Sequence, residues 1–221
     1  MNVKYPDQRI AIFIDVQNMY YSARALYGNK VNFGEIVKTA ASGRKVVRAI
    51  AYAVKAEMPE EQSFFDALEK AGLEVKTKEL QTFVDGHKKA DWDVGIAVDV
   101  LKMAPKLDAV VLVSGDGDFQ ILMHHTKAEG CRAEVMSFGK STSAKLIEEA
   151  DDFTDLDTDP VRYLLNYQPT RIKNTTKKPL AVSEGVEQPL TNKSADLEGQ
   201  VIAAVNGNPK PRRSFFKKSQ Q

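Results

Sequence analysis

A chain of 221 residues, 43% apolar and 28% charged, has enough apolar material to bury one domain's core and leave flanking segments over. Its net charge of +1 gives no sign of a uniformly basic or acidic protein, and its single cysteine, Cys131, excludes an internal disulfide. No apolar run approaches the roughly 20 residues of a membrane span and the N-terminus lacks a signal-like apolar stretch, so a cytoplasmic protein without a membrane partner is expected.

Strand-like and helix-like segments alternate from residue 9 to about 150. Residues 9–15 (RIAIFID) form a short β-branched and aromatic run, followed by a helical stretch over 16–27 and another over 33–42, with Gly43 placed to end it. Residues 45–54 (KVVRAIAYAV) read as the second strand. Residues 60–71 follow Pro59 and end at Gly72, the Pro-first, Gly-last pattern of a helix. Residues 73–80 (LEVKTKEL) alternate apolar and polar side chains, as an edge strand does, and a helix is predicted over 91–103, before Pro105. Residues 109–114 (AVVLVS) are almost wholly apolar, the signature of a central parallel strand covered on both faces. A helix over 118–129, a fifth strand over 133–138 and a short helix over 143–150 complete the series, and Cys131 at the fifth strand's entry reads as a buried, inert thiol. The expectation is an α/β fold: a doubly wound, Rossmann-like, mainly parallel sheet of about five strands with helices on both faces.

That domain is assigned to residues 1–160. Residues 161–221 read as a linker and a disordered basic tail, since apolar periodicity stops near Thr170. Residues 171–221 carry ten Lys/Arg against four Asp/Glu, while residues 1–170 carry 21 against 26. The tail's last part, Pro209-Lys210-Pro211-Arg212-Arg213-Ser214-Phe215-Phe216-Lys217-Lys218, brackets two aromatics with cations. It suits nucleic acid or a protein partner, with a solvated linker as the plainer alternative.

Acidic residues gather where such a sheet has its ligand crevice. Asp15 closes the first strand, Asp116 and Asp118 follow the fourth, and Asp91 and Asp93 open the helix after the third. With a strand order such as 3-2-1-4-5, strands one and four are neighbours at the reversal point, and the carboxyl ends of the strands face one crevice. Carboxylates brought so close repel one another unless a cation neutralises them, and all-oxygen ligands suit Mg²⁺ or Mn²⁺. Each residue also has a plainer role. Asp91 reads first as a helix N-cap, Asp93 as a complement to the helix dipole and Asp118 as a cap for the next helix. Asp15 resists such a reading, because an aspartate ending an apolar strand is costly without a partner. Asn18 could bond Asp15 or a phosphate, and Ser114 could orient a carboxylate. Lys88 and Lys89 could meet a phosphate, while Asp99, about 240° round the helix from Asp93, belongs behind the site at best. His124 and His125 lack zinc-ligand spacing, His87 sits beside the lysines, and no phosphate-binding glycine loop or nucleophile elbow is present.

Three stretches carry a family resemblance: Ile12-Phe13-Ile14-Asp15-Val16-Gln17-Asn18, residues 89–99 (KADWDVGIAVD), and Val113-Ser114-Gly115-Asp116-Gly117-Asp118-Phe119. Together, in this order and spacing, they resemble the signatures of NYN domains of the LabA-like branch, over about residues 9–157. The resemblance implies a PIN-like fold with a metal-dependent ribonuclease site. In it, Asp15, Asp93, Asp116 and Asp118 take the acidic positions and Asn18 the asparagine position. The family more often has an apolar or small residue where Asp91 stands, and its register favours Asp93 as the residue facing the metal. The function expected is Mg²⁺- or Mn²⁺-dependent hydrolysis of RNA. The alternative is a non-catalytic RNA-binding or regulatory module, with a homodimer left open.

Overall fold

The computed structural model describes residues 4–55, 61–79, 81–82, 88–89 and 91–169. In chain order the elements are β1 (Arg9–Asp15), α1 (Val16–Tyr27), α2 (Phe33–Ala41), β2 (Lys45–Lys55), α3 (Glu61–Lys70), β3 (Glu74–Glu79), β4 (Gln81–Thr82) and β5 (Lys88–Lys89). Then come α4 (Asp93–Met103), β6 (Ala109–Val113), α5 (Gln120–Ala128), β7 (Arg132–Ser137), α6 (Ala144–Glu149), β8 (Asp152–Asp155) and α7 (Pro160–Tyr163).

Six strands form one sheet in the order β3-β2-β1-β6-β7-β8, every adjacent pair parallel. The period-two alternation of β1 shows why helices must cover both faces. Ile10, Ile12 and Ile14 point into one apolar layer with Met19, Ile36 and Leu68, whereas Ala11 and Phe13 point into the other with Ile96, Leu122 and Leu146. The first layer takes α1, α2, α3 and α7, and the second takes α4, α5 and α6. The chain changes faces between β3 and β6, so β1 and β6 lie side by side with connections leaving in opposite directions. That is the reversal point at which open α/β sheets bind ligands.

Most predicted elements stand within a residue or two of their expected positions, and β3 is an edge strand as its alternation implies. The differences have local causes. A sixth parallel strand, β8, was not expected, because Asp152-Phe153-Thr154-Asp155 is short and two of its four residues are acidic. Lys88 and Lys89 pair antiparallel with Gln81 and Thr82, in a second, two-stranded sheet. Helix α4 begins at Asp93, with Trp92 at its N-cap and no side-chain cap bond, so Asp91 is not the cap. A 3-10 turn over Gly117–Phe119, capped by Asp116, precedes α5, so Asp118 does not cap that helix either. Ser42, rather than Gly43, closes α2, in a left-handed conformation with φ 47°. Cys131 is buried, and that burial pushes its thiol up to about 11. His87 and residues 170–221 lie outside the described residues. Packing continues past residue 160: Val31 bridges Leu164, and the Tyr167 ring packs edge-on to Tyr27.

One buried ion pair ties the start of β2 to β7. The Arg44 guanidinium donates to both carboxylate oxygens of Glu134, at 2.8 and 2.9 Å, and to the Ala40 carbonyl at 2.7 Å. The Arg44 side chain is wholly shielded from solvent, and Glu134 is almost so. Removing one partner leaves a buried charge without its principal counterion, which costs more than replacing both. Arg44→Met should therefore lose about 3 kcal/mol in urea denaturation, and Arg44→Met combined with Glu134→Leu should recover most of it.

Candidate metal centre

The reversal point is built by two strand ends and one helix start. Asp15 is the last residue of β1 and the N-cap of α1, and its Oδ1 accepts the Asn18 backbone N–H at 3.0 Å. Across the strand pair, the Ser114 hydroxyl donates toward Asp15 Oδ2 at 3.4 Å and its oxygen accepts the Asp116 N–H at 3.2 Å. The Asn18 side-chain oxygen accepts the Gly115 N–H at 2.9 Å, and Asp116 Oδ1 accepts the Asp118 N–H at 3.0 Å. Side chains from the first strand-helix turn and backbone amides from the second thus lock the two turns together. The Ser114 hydroxyl and the Asn18 side-chain oxygen both take part in this lock.

The turn Ser114-Gly115-Asp116-Gly117-Asp118 lies under the loop that follows β7. A Cβ on Gly117 would sit 2.8 Å from Ser143 Oγ, and one on Gly115 would sit 3.2 Å from the Ser141 carbonyl oxygen. The two glycines serve this close approach, with the Ser143 N–H donating to the Gly115 carbonyl at 3.0 Å.

From the third direction comes α4, whose first residue is Asp93. Carboxylate oxygens of Asp93, Asp116 and Asp118 lie within 4.8 Å of one another. At about that distance two carboxylates repel by about 1 kcal/mol when fully hydrated and by about 4 kcal/mol near a protein surface. Asp15 stands behind this trio, 8% exposed, with both oxygens engaged as described. Burial, partly offset by the Asn18 N–H, and then the charges of Asp93 and Asp116 push its carboxyl up to about 6. The group of three thus excludes Asp15 as an equal member, yet Asp15 remains within electrostatic reach.

Trp92 and Gly95 set where Asp93 can stand, and sequence reasoning did not single them out. The Trp92 indole N–H donates to the Ala53 carbonyl at 2.9 Å, and its ring packs edge-on to Tyr52. A Cβ on Gly95 would fall 2.6 Å from the indole, so glycine is what lets the ring fold against its own helix. The signal available in the sequence was a glycine inside the first turn of a helix, three residues after a tryptophan. Asp99 faces elsewhere, accepting from the Tyr52 hydroxyl at 2.7 Å and from Lys76 Nζ at 2.6 Å. Burial would raise its carboxyl, but the Lys76 and Tyr52 hydrogen bonds hold it below the usual carboxylate range. Asp91 contributes its backbone carbonyl to Lys78 Nζ at 3.1 Å and is not in the group of three. The side chains of Lys88 and Lys89 lie outside the described residues.

The family model of the NYN domain matches residues 9–157, the stretch that contains the whole sheet and all three acidic signals. The chain belongs to the NYN domain family. It is 30% identical over 163 residues to the low amplitude and bright protein LabA of Synechococcus elongatus, a match that takes in 67% of this chain and 83% of that protein. Among solved structures it is similar to a protein of unknown function from Vibrio parahaemolyticus. The two share 36% identity at a TM-score of 0.67, over 74% of this chain and 99% of that one. The α/β architecture of the NYN domain is shared with that neighbour, and no helix among the described residues is long and apolar enough to cross a membrane.

The elevated Asp15 carboxyl has a thermodynamic consequence. Its folded pKa, about 6, exceeds the ordinary 3.8, so the folded state takes up its proton more readily than the unfolded chain. Asp15 therefore costs nothing below about pH 4, and its contribution falls away as pH rises from 4 through 6, by about 3 kcal/mol in all. Asparagine keeps the capping oxygen but not the charge. In metal-free buffer, Asp15→Asn should be the more stable protein at pH 7–8 and should lack the wild type's loss between pH 4 and 6.5, as urea denaturation at stepped pH would show.

Proposed function

We propose that this NYN domain is a Mg²⁺- or Mn²⁺-dependent endoribonuclease that hydrolyses RNA phosphodiester bonds at the reversal-point crevice. The observation that carries the reading is the convergence of Asp93, Asp116 and Asp118 within 4.8 Å, from a helix start and a turn far apart in sequence. Three carboxylates without nitrogen or sulfur donors fit a hard divalent cation. Such an ion would activate water and offset charge developing on the phosphate.

Asp93, Asp116 and Asp118 are the residues that would hold it. Buried Asp15 adds negative potential from behind and keeps α1 and the Gly115 turn in register through Asn18 and Ser114. Because Asp15 titrates near neutrality, a cation arriving in front would favour its ionised form. Lys88 and Lys89, on the hairpin preceding α4, are assigned to the RNA backbone, and the basic tail is assigned an accessory role.

RNA cleavage in Mn²⁺ tests this directly. Cutting should disappear in EDTA and fall by at least about 100-fold in Asp116→Asn, with the circular dichroism spectrum unchanged. Asp99→Asn should cut near the wild-type rate, since Asp99 is engaged by Tyr52 and Lys76. Wild-type protein that binds RNA but never cuts it with either metal would make this a non-catalytic RNA-binding module instead.

A further inference from the structure

Beside the acidic trio the surface turns apolar. Val94 and Leu101 on α4 and Ile121 on α5 are 74%, 42% and 72% exposed, and with Ala97 and Leu122 they wall a groove of about 240 Å³. Asp93 and Asp118 line the same groove, so it is an aliphatic trough with an anionic rim formed by two of the carboxylates assigned to the metal. Exposed apolar surface of this kind is uncommon on a domain unless something covers it.

The chemistry of the trough selects its occupant. RNA fits poorly. The trough presents no Lys or Arg, Phe119 is only 2% exposed, and the exposed His125 is the one ring in its lining left to stack on a base. A second copy docking two such troughs by a two-fold axis would put two anionic rims into one interface with no Lys or Arg in either trough to offset them. A short peptide with adjacent aromatics between cations fits both parts, with rings against Val94, Leu101 and Ile121 and cations against Asp93 and Asp118. This chain carries such a segment, Arg212-Arg213-Ser214-Phe215-Phe216-Lys217-Lys218, within a stretch that has ten Lys/Arg against four Asp/Glu. About 45 residues separate Pro169 from Phe215. A flexible chain of that length spans roughly 35–40 Å, about the diameter of a domain of this size, so the far face of the sheet is within reach.

We propose that Arg212–Lys218 docks in cis into the α4–α5 groove, seating Phe215 and Phe216 on the aliphatic walls and its cations on the rim at Asp93 and Asp118. The docked segment competes with a divalent ion for those two carboxylates. This second clause rests on the nuclease reading, while the docking itself does not.

The test uses full-length protein with ¹³C-labelled Val, Leu and Ile methyl groups, in EDTA. Ring-proton NOEs from the two phenylalanines to the methyls of Val94, Leu101 and Ile121 are expected, together with upfield methyl shifts that vanish in Phe215→Ala/Phe216→Ala. Methyl spectra that superimpose for the two proteins would overturn the docking. Shifts that grow with protein concentration would overturn it in favour of a second copy's tail. Trough methyls that respond identically in both proteins to a short single-stranded RNA, with no difference before it is added, would overturn it in favour of RNA. By calorimetry, Mn²⁺ should bind Phe215→Ala/Phe216→Ala about threefold more tightly than wild type if the segment leaves the site open a third of the time. Equal affinity despite observed NOEs would overturn the competition alone. None of these readouts requires cleavage, so a failed docking and a failed nuclease assay are separate results.

Discussion

Like charges held together against their repulsion are the constraint on which this molecule turns. Asp93, Asp116 and Asp118 place oxygens within 4.8 Å, and a fourth carboxylate, Asp15, is buried behind them. Nothing in the local preferences of these residues brings them together. Backbone amides and neutral side chains place Asp15, Asp116 and Asp118: the Asn18 N–H on Asp15, the Asn18 oxygen on the Gly115 N–H, the Ser114 hydroxyl between Asp15 and the Asp116 N–H, and the Asp118 N–H on Asp116. Most of these bonds orient an acid without neutralising it, so the charge stays available to a ligand. Asp99 is handled in the opposite way, with Lys76 set directly on its carboxylate. The contrast between an acid that is positioned and an acid that is neutralised separates the crevice from the scaffold around it.

The scaffold supplies rigidity from outside the crevice. Trp92 pins the start of α4 to the carbonyl of Ala53 in β2, and Gly95 makes room for the indole. The loop after β7 lies across Gly115 and Gly117, where side chains would collide with Ser141 and Ser143. In β7 itself, the Arg44–Glu134 pair joins that strand to the turn before β2. The Trp92 and loop contacts bear on where the carboxylates stand, while the ion pair braces the sheet away from the crevice. A site assembled this way is pre-organised: its repulsion is met by packing when the chain folds, and a cation in the proposed site would relieve it.

The aliphatic trough between α4 and α5 extends the same geometry. Because Asp93 opens α4 and Asp118 precedes α5, exposed apolar residues in the first turns of these helices that share their face border the acidic trio. Val94 and Ile121 occupy those positions. Anything bound in the trough thus abuts the carboxylates. That proximity turns an otherwise ordinary exposed patch into a point where binding and chemistry can be coupled.

Much of this was legible in the linear chain. The near-continuous apolar runs of β1 and β6 specify strands buried on both faces, and alternation with helices implies a parallel sheet. An aspartate ending such a strand, at Asp15, is costly enough to demand a purpose. The strand order places Asp15 and the turn after β6 at the same edge, so the meeting of the first and third acidic signals was readable as well. What the linear order left undecided were matters of orientation within a few ångströms. Asp91 and Asp93 differ by two residues, and the helix start decided between them, with Trp92 taking the cap and Asp93 the first turn. Sequence alone ranks Asp15 with the other acids, and only packing places it behind them, because its burial depends on Ser114 and other neighbours from outside its own strand. The strand β8 escaped notice since a four-residue edge segment with two aspartates has too little apolar pattern to stand out. Periodicity along a chain encodes which residues must be shielded from water and so determines the fold. The distances between carboxylates arise from contacts among residues far apart in sequence, and only the tertiary structure decides those.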